Sequence, residues 1–139
     1  MGSTISTEHW TLNLALADEC TNNDDGSASE RTVRRDGDLD LVFDGWHVGH
    51  ATMGLGAFRD LGVDVWVTTT GRIVTAETRS TSWQGETSRY AAAAHPGHAF
   101  AYEWLVDRTG GSLGAVSKQA WTQACGVVEQ FAGQDRERV

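Results

Sequence analysis

The chain contains few of the residues and segments that identify whole classes of protein. Among 139 residues there are one proline, two cysteines and one lysine. No stretch approaches the roughly 18 consecutive apolar residues that a membrane-spanning helix needs. The first ten residues lack the basic region and the apolar run of a secretory signal. We therefore expect a cytoplasmic protein without a membrane span.

The two cysteines, Cys20 and Cys125, lie far apart in the sequence. They show none of the close spacings that are typical of a metal or redox site, so we expect two free thiols. Cys125 falls on the apolar side of a predicted helix, where a thiol acts as a small hydrophobic side chain.

Basic residues are outnumbered by acidic ones, 11 to 19, which gives a net charge of −8. A negative chain is repelled by nucleic acid and by anionic membranes, so we expect it to bind neither directly. The acidic surface can serve solubility alone, or it can face a protein partner. The oligomeric state is left open by the sequence, and a homodimer is one alternative.

What the sequence does contain is a set of alternating apolar residues followed by helical spacing. Alternation predicts strands in 9–17, 31–44, 63–80 and 87–93, with tight turns at Asp36-Gly37 and Gly71. The glycine-rich stretch 45–62 is predicted to be irregular, with one helical turn at 57–61.

The last third of the sequence predicts two helices. Pro96 suits the first helical position, Gly110-Gly111 ends that segment, and a second apolar stripe runs from Val116 to Phe131. Strands first and helices last predict an α+β fold. We expect an antiparallel sheet of five or six strands with the two helices packed on one face, in a single domain spanning 1–139 with flexible ends at 1–8 and 134–139.

Four of the five histidines form two H-x-x-H pairs, His47/His50 and His95/His98. Imidazole nitrogens are common zinc ligands, and a catalytic zinc site uses three protein ligands. If the two pairs converge, they form a metal site, with Asp44 or Glu86 as a further ligand or base. The alternative is ordinary turn and cap chemistry, because the glycines and Pro96 beside the histidines have local structural roles and no known metal motif has this spacing.

Aromatic and acidic side chains provide the second set of candidate site residues. If Val63, Val65 and Val67 face the core, Trp66 lies on the opposite face, where it is either exposed or covered. Trp83 and Glu86 share a predicted bend, and an exposed tryptophan there would anchor a partner. Asp38 and Asp40 lie on a polar strand face, where they are either simply solvated or available to a partner.

No nucleophile motif or phosphate-binding loop is present in the sequence. The leading hypothesis is therefore a small acidic, non-enzymatic domain without a cofactor, which binds a protein through Trp66, Trp83, Glu86, Asp38 and Asp40. The first alternative is a metal-dependent enzyme or metal-binding protein that holds zinc or another divalent transition metal with the four paired histidines. The second alternative is a small-molecule pocket between sheet and helices.

Overall fold

A computed structural model describes residues 4–17, 21–23, 25–109, 111 and 113–136. Two helices follow the strands, α1 (His98–Arg108) and α2 (Ala115–Val127). Short 3₁₀ turns occur at Leu14–Leu16 and Glu129–Phe131. The strands are β1 (Thr4–Ser6), β2 (Thr11–Asn13), β3 (Ser29–Val33), β4 (Leu41–Gly54), β5 (Arg59–Thr68), β6 (Ile73–Thr81) and β7 (Arg89–His95).

Strands β3 to β7 form a five-stranded antiparallel sheet in sequence order, and β1 pairs with β2 in a separate two-stranded sheet. Consecutive strands are joined by hairpin turns, with Gly37 and Gly71 in the left-handed conformation at two of them. The sheet curls, since Asp36 beyond the end of β3 exchanges hydrogen bonds with Tyr90 on β7. The predicted α+β class, with an antiparallel sheet and two carboxyl-terminal helices, is confirmed.

One face of the sheet carries the core. Val63, Val65 and Val67 of β5 are completely buried on this face, which we call the helix face. Helix α2 packs across β4 and β5 and contributes Ala120, Trp121 and Ala124, while α1 packs on β6 and β7. Trp121 stacks on Phe131 with ring centroids 5.3 Å apart. The helices thus cover the helix face, and we call the opposite face, which carries Asp64 and Trp66, the outer face. No helix in the described part of the chain is long and apolar enough to cross a membrane.

The prediction for 45–62 is wrong. This stretch forms most of β4, a tight turn and the start of β5. Its glycines allow close packing: a Cβ at Gly45 would overlap the carbonyl oxygen of Val67, and one at Gly49 would overlap that of Ala120 on α2. Glycine content indicates loops in general, but here it lets the backbone of β4 approach its neighbours.

The strand predicted over 9–17 is much shorter than expected. Only Thr11–Asn13 is extended, because β2 pairs with β1 over three residues and makes a single further bridge, from Leu12 to Val128. Trp10 and Leu12 are buried, as their alternation predicts. The chain then turns through the 3₁₀ segment and leaves Leu16 exposed.

The ends of the chain are partly described. Residues 4–6 form β1, and Gln134 accepts a hydrogen bond from the indole of Trp121 at 3.0 Å. Residues 1–3 and 137–139 of the predicted flexible ends, and also Cys20, lie outside the described residues.

Cys125 is a buried free thiol, and burial, together with the negative charge of Asp135, raises its pKa to about 12.

Candidate metal centre

Three potential metal ligands meet on the outer face of the sheet. His47 and His50 come from β4 and Asp64 comes from the neighbouring strand β5. Asp64 Oδ1 lies 2.8 Å from His47 Nε2 and 2.6 Å from His50 Nδ1. All three ligand atoms lie within 4.8 Å of one another. We call these three residues the His–His–Asp cluster.

A β-bulge brings the two histidines together. Residues three apart on a regular strand point to opposite faces, so His47 and His50 would be separated without an irregularity. The register shifts between His47 and Gly49, so that β4 has one residue more than β5 at this point. Val48 is completely buried and Gly49 lies against α2, so both face the helices. His47 and His50 are consequently both on the outer face.

Neighbouring aromatic rings partly shield the cluster. Trp66 stacks on the His47 ring at a centroid distance of 4.9 Å, and Phe43 meets Trp66 edge-on at 6.0 Å. The side chains of His47, His50 and Asp64 retain 12%, 27% and 20% of their exposure. The cluster is therefore held by packing but is still accessible from solvent.

The electrostatics of the cluster keep Asp64 ionised. Burial alone raises the pKa of this carboxyl. Hydrogen bonds from His47 and His50, and the positive charge of these rings when they are protonated, lower it. Together they outweigh burial and hold the pKa below the ordinary value of 3.8. An ionised carboxylate only accepts hydrogen bonds, so each imidazole donates a ring N–H to it, and that proton must leave before the same nitrogen can bind a metal. Carboxylate and imidazole are also the ligand types that zinc and related metals take.

The spacing of the ligand atoms can be compared with a tetrahedral site. Metal bonds of roughly 2.0–2.1 Å place neighbouring ligand atoms about 3.3 Å apart. The two histidine–aspartate distances, 2.8 and 2.6 Å, are shorter than this by less than 1 Å. An ion between the three atoms would require both contacts to open. The three residues are thus a candidate three-ligand metal site.

The structure separates the second histidine pair from the first. His95 ends β7 and points to the helix face, where it is buried, bonds to Thr75 Oγ1 at 2.8 Å and meets the Trp104 ring. His98 is the first residue of α1, and its ring lies 6.3 Å from that of Phe131. The α1 N-cap is Gly97 rather than His95. Four histidines therefore do not converge.

The residues predicted as additional ligands also lie elsewhere. Asp44 is exposed on β4, and Glu86 forms an ion pair with Arg59 at 2.7 Å and accepts a hydrogen bond from Thr81. The third candidate ligand is instead Asp64 of β5, which pairs with His50 in the strand register.

Buried His95 should make the protein less stable in weak acid. Burial lowers its folded-state pKa below 6.5, so the unfolded chain binds the proton first as the pH falls. Above pH 6.5 the protonation of His95 does not reduce the free energy of unfolding. Below that pH the free energy of unfolding falls by up to about 1.4 kcal/mol per pH unit, until the pH reaches the lower folded-state pKa of His95. Urea unfolding at about pH 7.5 and about pH 5.5 should show a smaller loss for His95→Gln than for the unmodified protein. An equal loss would contradict this assignment.

The structure places the five residues predicted to bind a partner on three different parts of the fold. Trp66 is half-buried beside His47, whereas Trp83 is 45% exposed in the loop between β6 and β7 and shares that loop with Glu86. Asp38 and Asp40 are exposed in the β3–β4 turn, where Asp38 pairs with Arg35 at 3.6 Å. Trp83 is thus the one aromatic of this set that is open to a partner.

Two open clefts are the candidates for a small-molecule pocket. A cleft of about 710 Å³ lies beside Arg59, Arg79 and Glu86, and one of about 620 Å³ lies between the helices beside Tyr102 and Lys118. Neither is lined by the His–His–Asp cluster.

No family model, curated protein or solved structure matches this chain.

Proposed function

We propose that this protein binds one divalent transition metal ion through His47 Nε2, His50 Nδ1 and Asp64 Oδ1. The observation that carries the proposal is the convergence of these three atoms within 4.8 Å on a bulged strand. Bulges occur often beside functional sites, where they redirect side chains. Here the bulge serves to place both histidines next to one carboxylate.

The ligand set indicates which ions to test. Imidazole suits zinc, copper, iron and nickel, and a carboxylate with two histidines is found in both zinc and non-haem iron(II) sites. Three protein ligands leave at least one coordination position open, and the partial exposure of the cluster lets solvent reach it. A bound ion would act there as a Lewis acid toward water or a small ligand.

Titration of tag-free protein with Co²⁺ tests this proposal directly. We expect visible absorption that saturates at one equivalent and disappears when Zn²⁺ is added, because both ions compete for the same ligands. Isothermal titration with Zn²⁺ should give the same stoichiometry. If neither ion binds at one equivalent, the proposal is wrong.

A protein partner is the second candidate function, and the observation that favours it is an exposed apolar tip. Met53, Leu55, Phe58 and Trp83 are each at least 40% exposed and lie where the β4–β5 turn meets the β6–β7 loop. Phe58, in the β4–β5 turn, has a φ of 65°, a conformation that is unfavourable for an aromatic residue and that occurs at tight turns and at functional sites. Hydrogen bonds fix the tip, including one from the Trp83 indole to the Ala57 carbonyl at 2.9 Å.

An exposed apolar tip is suited to a protein with a complementary apolar pocket. A photocrosslinking residue at position 58 in native cells should capture such a protein, which can then be purified for binding measurements. Trp83→Ala should weaken its binding at least about tenfold, since exposed tryptophans are frequent hot spots. The control Phe100→Ala removes an exposed aromatic side chain from α1 and should leave affinity unchanged. No capture, or equal affinities for both variants, would contradict the partner hypothesis.

A further inference from the structure

The side chain of Asn22 is bonded to the backbone of His47 in both directions. Asn22 Nδ2 donates to the His47 carbonyl oxygen, and the His47 N–H donates to Asn22 Oδ1, each at 2.9 Å. This pair of bonds is the pattern that a residue of a neighbouring strand would make. Asn22 therefore extends the sheet by one side chain at His47.

The backbone of His47 needs this support because it lies where strand pairing is weakest. On one side of β4, pairing with β3 ends at Gly45, opposite Ser29. On the other side, the ladder with β5 is interrupted directly after His47 by the bulge. A bulge disrupts the local ladder and leaves its residues less constrained. The Asn22 amide restores two hydrogen bonds at this position.

Arg31 on β3 holds Asn22 in place. One guanidinium nitrogen donates to Asn22 Oδ1 at 2.8 Å and another donates to the Thr21 carbonyl at 2.7 Å. From the opposite side of β4, the buried Trp46 indole donates to the Gly26 carbonyl at 2.8 Å. Asn22 and Gly26 are thus both bonded to β4, and Asn22 is directed at His47.

We propose that Asn22 is a positioning residue of the metal site and that Arg31 orients it. This inference rests on the proposed metal binding. Metal ligands must be placed within a few tenths of an ångström, and residues that orient them affect affinity although they do not touch the ion. Asn22 acts through the backbone of His47, and so it sets the position from which the imidazole reaches Asp64.

The test compares Asn22→Ala with Asn23→Ala. Asn23 is the adjacent asparagine, but its side chain bonds to Ser27 and not to β4. We expect Asn22→Ala to lower the affinity for Zn²⁺ by about 10–100-fold and to alter the visible spectrum of bound Co²⁺, while Asn23→Ala changes neither. The spectrum of bound Co²⁺ depends on the geometry of the ligands, which a loss of overall stability alone would not change. If Asn22→Ala does not fold, Asn22→Asp takes its place, since a carboxylate can still accept from the His47 N–H but cannot donate to the His47 carbonyl.

The outcomes separate this inference from the proposal on which it rests. If the unmodified protein binds one equivalent of Co²⁺ and both variants match its affinity and spectrum, the role of Asn22 is refuted and the metal site stands. If the unmodified protein binds no Co²⁺, the metal site itself is refuted, and the positioning role with it.

Discussion

Asp64→Ala should reduce the affinity for Zn²⁺ by more than about 100-fold, because loss of a ligand costs more than loss of an outer-shell partner. Asp64 supplies the one carboxylate of the cluster, and its lowered pKa keeps it ionised at neutral pH. Excess zinc stabilises the folded protein only to the extent that it binds, so this stabilisation should be absent in Asp64→Ala. Isothermal titration and thermal unfolding with and without Zn²⁺ measure the two effects.

A matched control exists on the same strand. Asp60 is an exposed aspartate of β5 that lies four residues before Asp64 and is paired in register with Gly54. Asp60→Ala removes the same charge from the same face without touching the cluster, so zinc affinity should be retained. If Asp64→Ala keeps the affinity of the unmodified protein, the ligand assignment fails.

Gly49→Ala should destabilise the protein by about 3 kcal/mol, the upper end of the usual cost of overpacking. A Cβ at Gly49 would overlap the carbonyl oxygen of Ala120 and approach the Ala124 side chain to 3.2 Å. Both atoms belong to α2, so either the helix or β4 must move. Because His50 follows Gly49 directly, movement of β4 also reaches the His–His–Asp cluster. Urea unfolding measures the loss in the free energy of unfolding.

Gly54→Ala controls for the general effect of replacing glycine in a strand. Gly54 also lies in β4, but the nearest atom to its added Cβ is 3.9 Å away. Neither glycine has a positive φ, so backbone strain does not distinguish them. Alanine in a strand lowers the entropy of the unfolded chain, and we expect Gly54→Ala to be neutral or slightly stabilising. Equal stability of the two variants would show that α2 does not pack on Gly49 as described.

The overall fold could be predicted from the sequence because alternating and helical apolar patterns involve residues that are close together along the chain. The alternation of Val63, Val65 and Val67 correctly identified the buried face of β5, and the last third correctly indicated two helices. The glycine-rich part of β4 was missed because its glycines serve contacts with residues far along the chain, such as Ala120. Close packing of this kind has no local signature.

The His–His–Asp cluster could be predicted only in part, for a related reason. Its two histidines stood out by their H-x-x-H spacing, but the same spacing at His95 and His98 misleads, since those residues lie on the helix face and at the start of α1. Asp64 could have been proposed only from the pairing of β4 with β5, and a bulge changes that register by one residue. The bulge itself depends on the packing of Val48 and Gly49 against the helices, which a sequence pattern does not reveal.

Anomalous diffraction from a crystal soaked in Zn²⁺ tests the central claim most directly. Data collected on both sides of the zinc absorption edge should show one strong peak on the outer face of the sheet, within about 2.0–2.2 Å of the two imidazole nitrogens and the carboxylate oxygen. A peak at His95 or His98 instead, or no peak beside Asp64, would contradict the account.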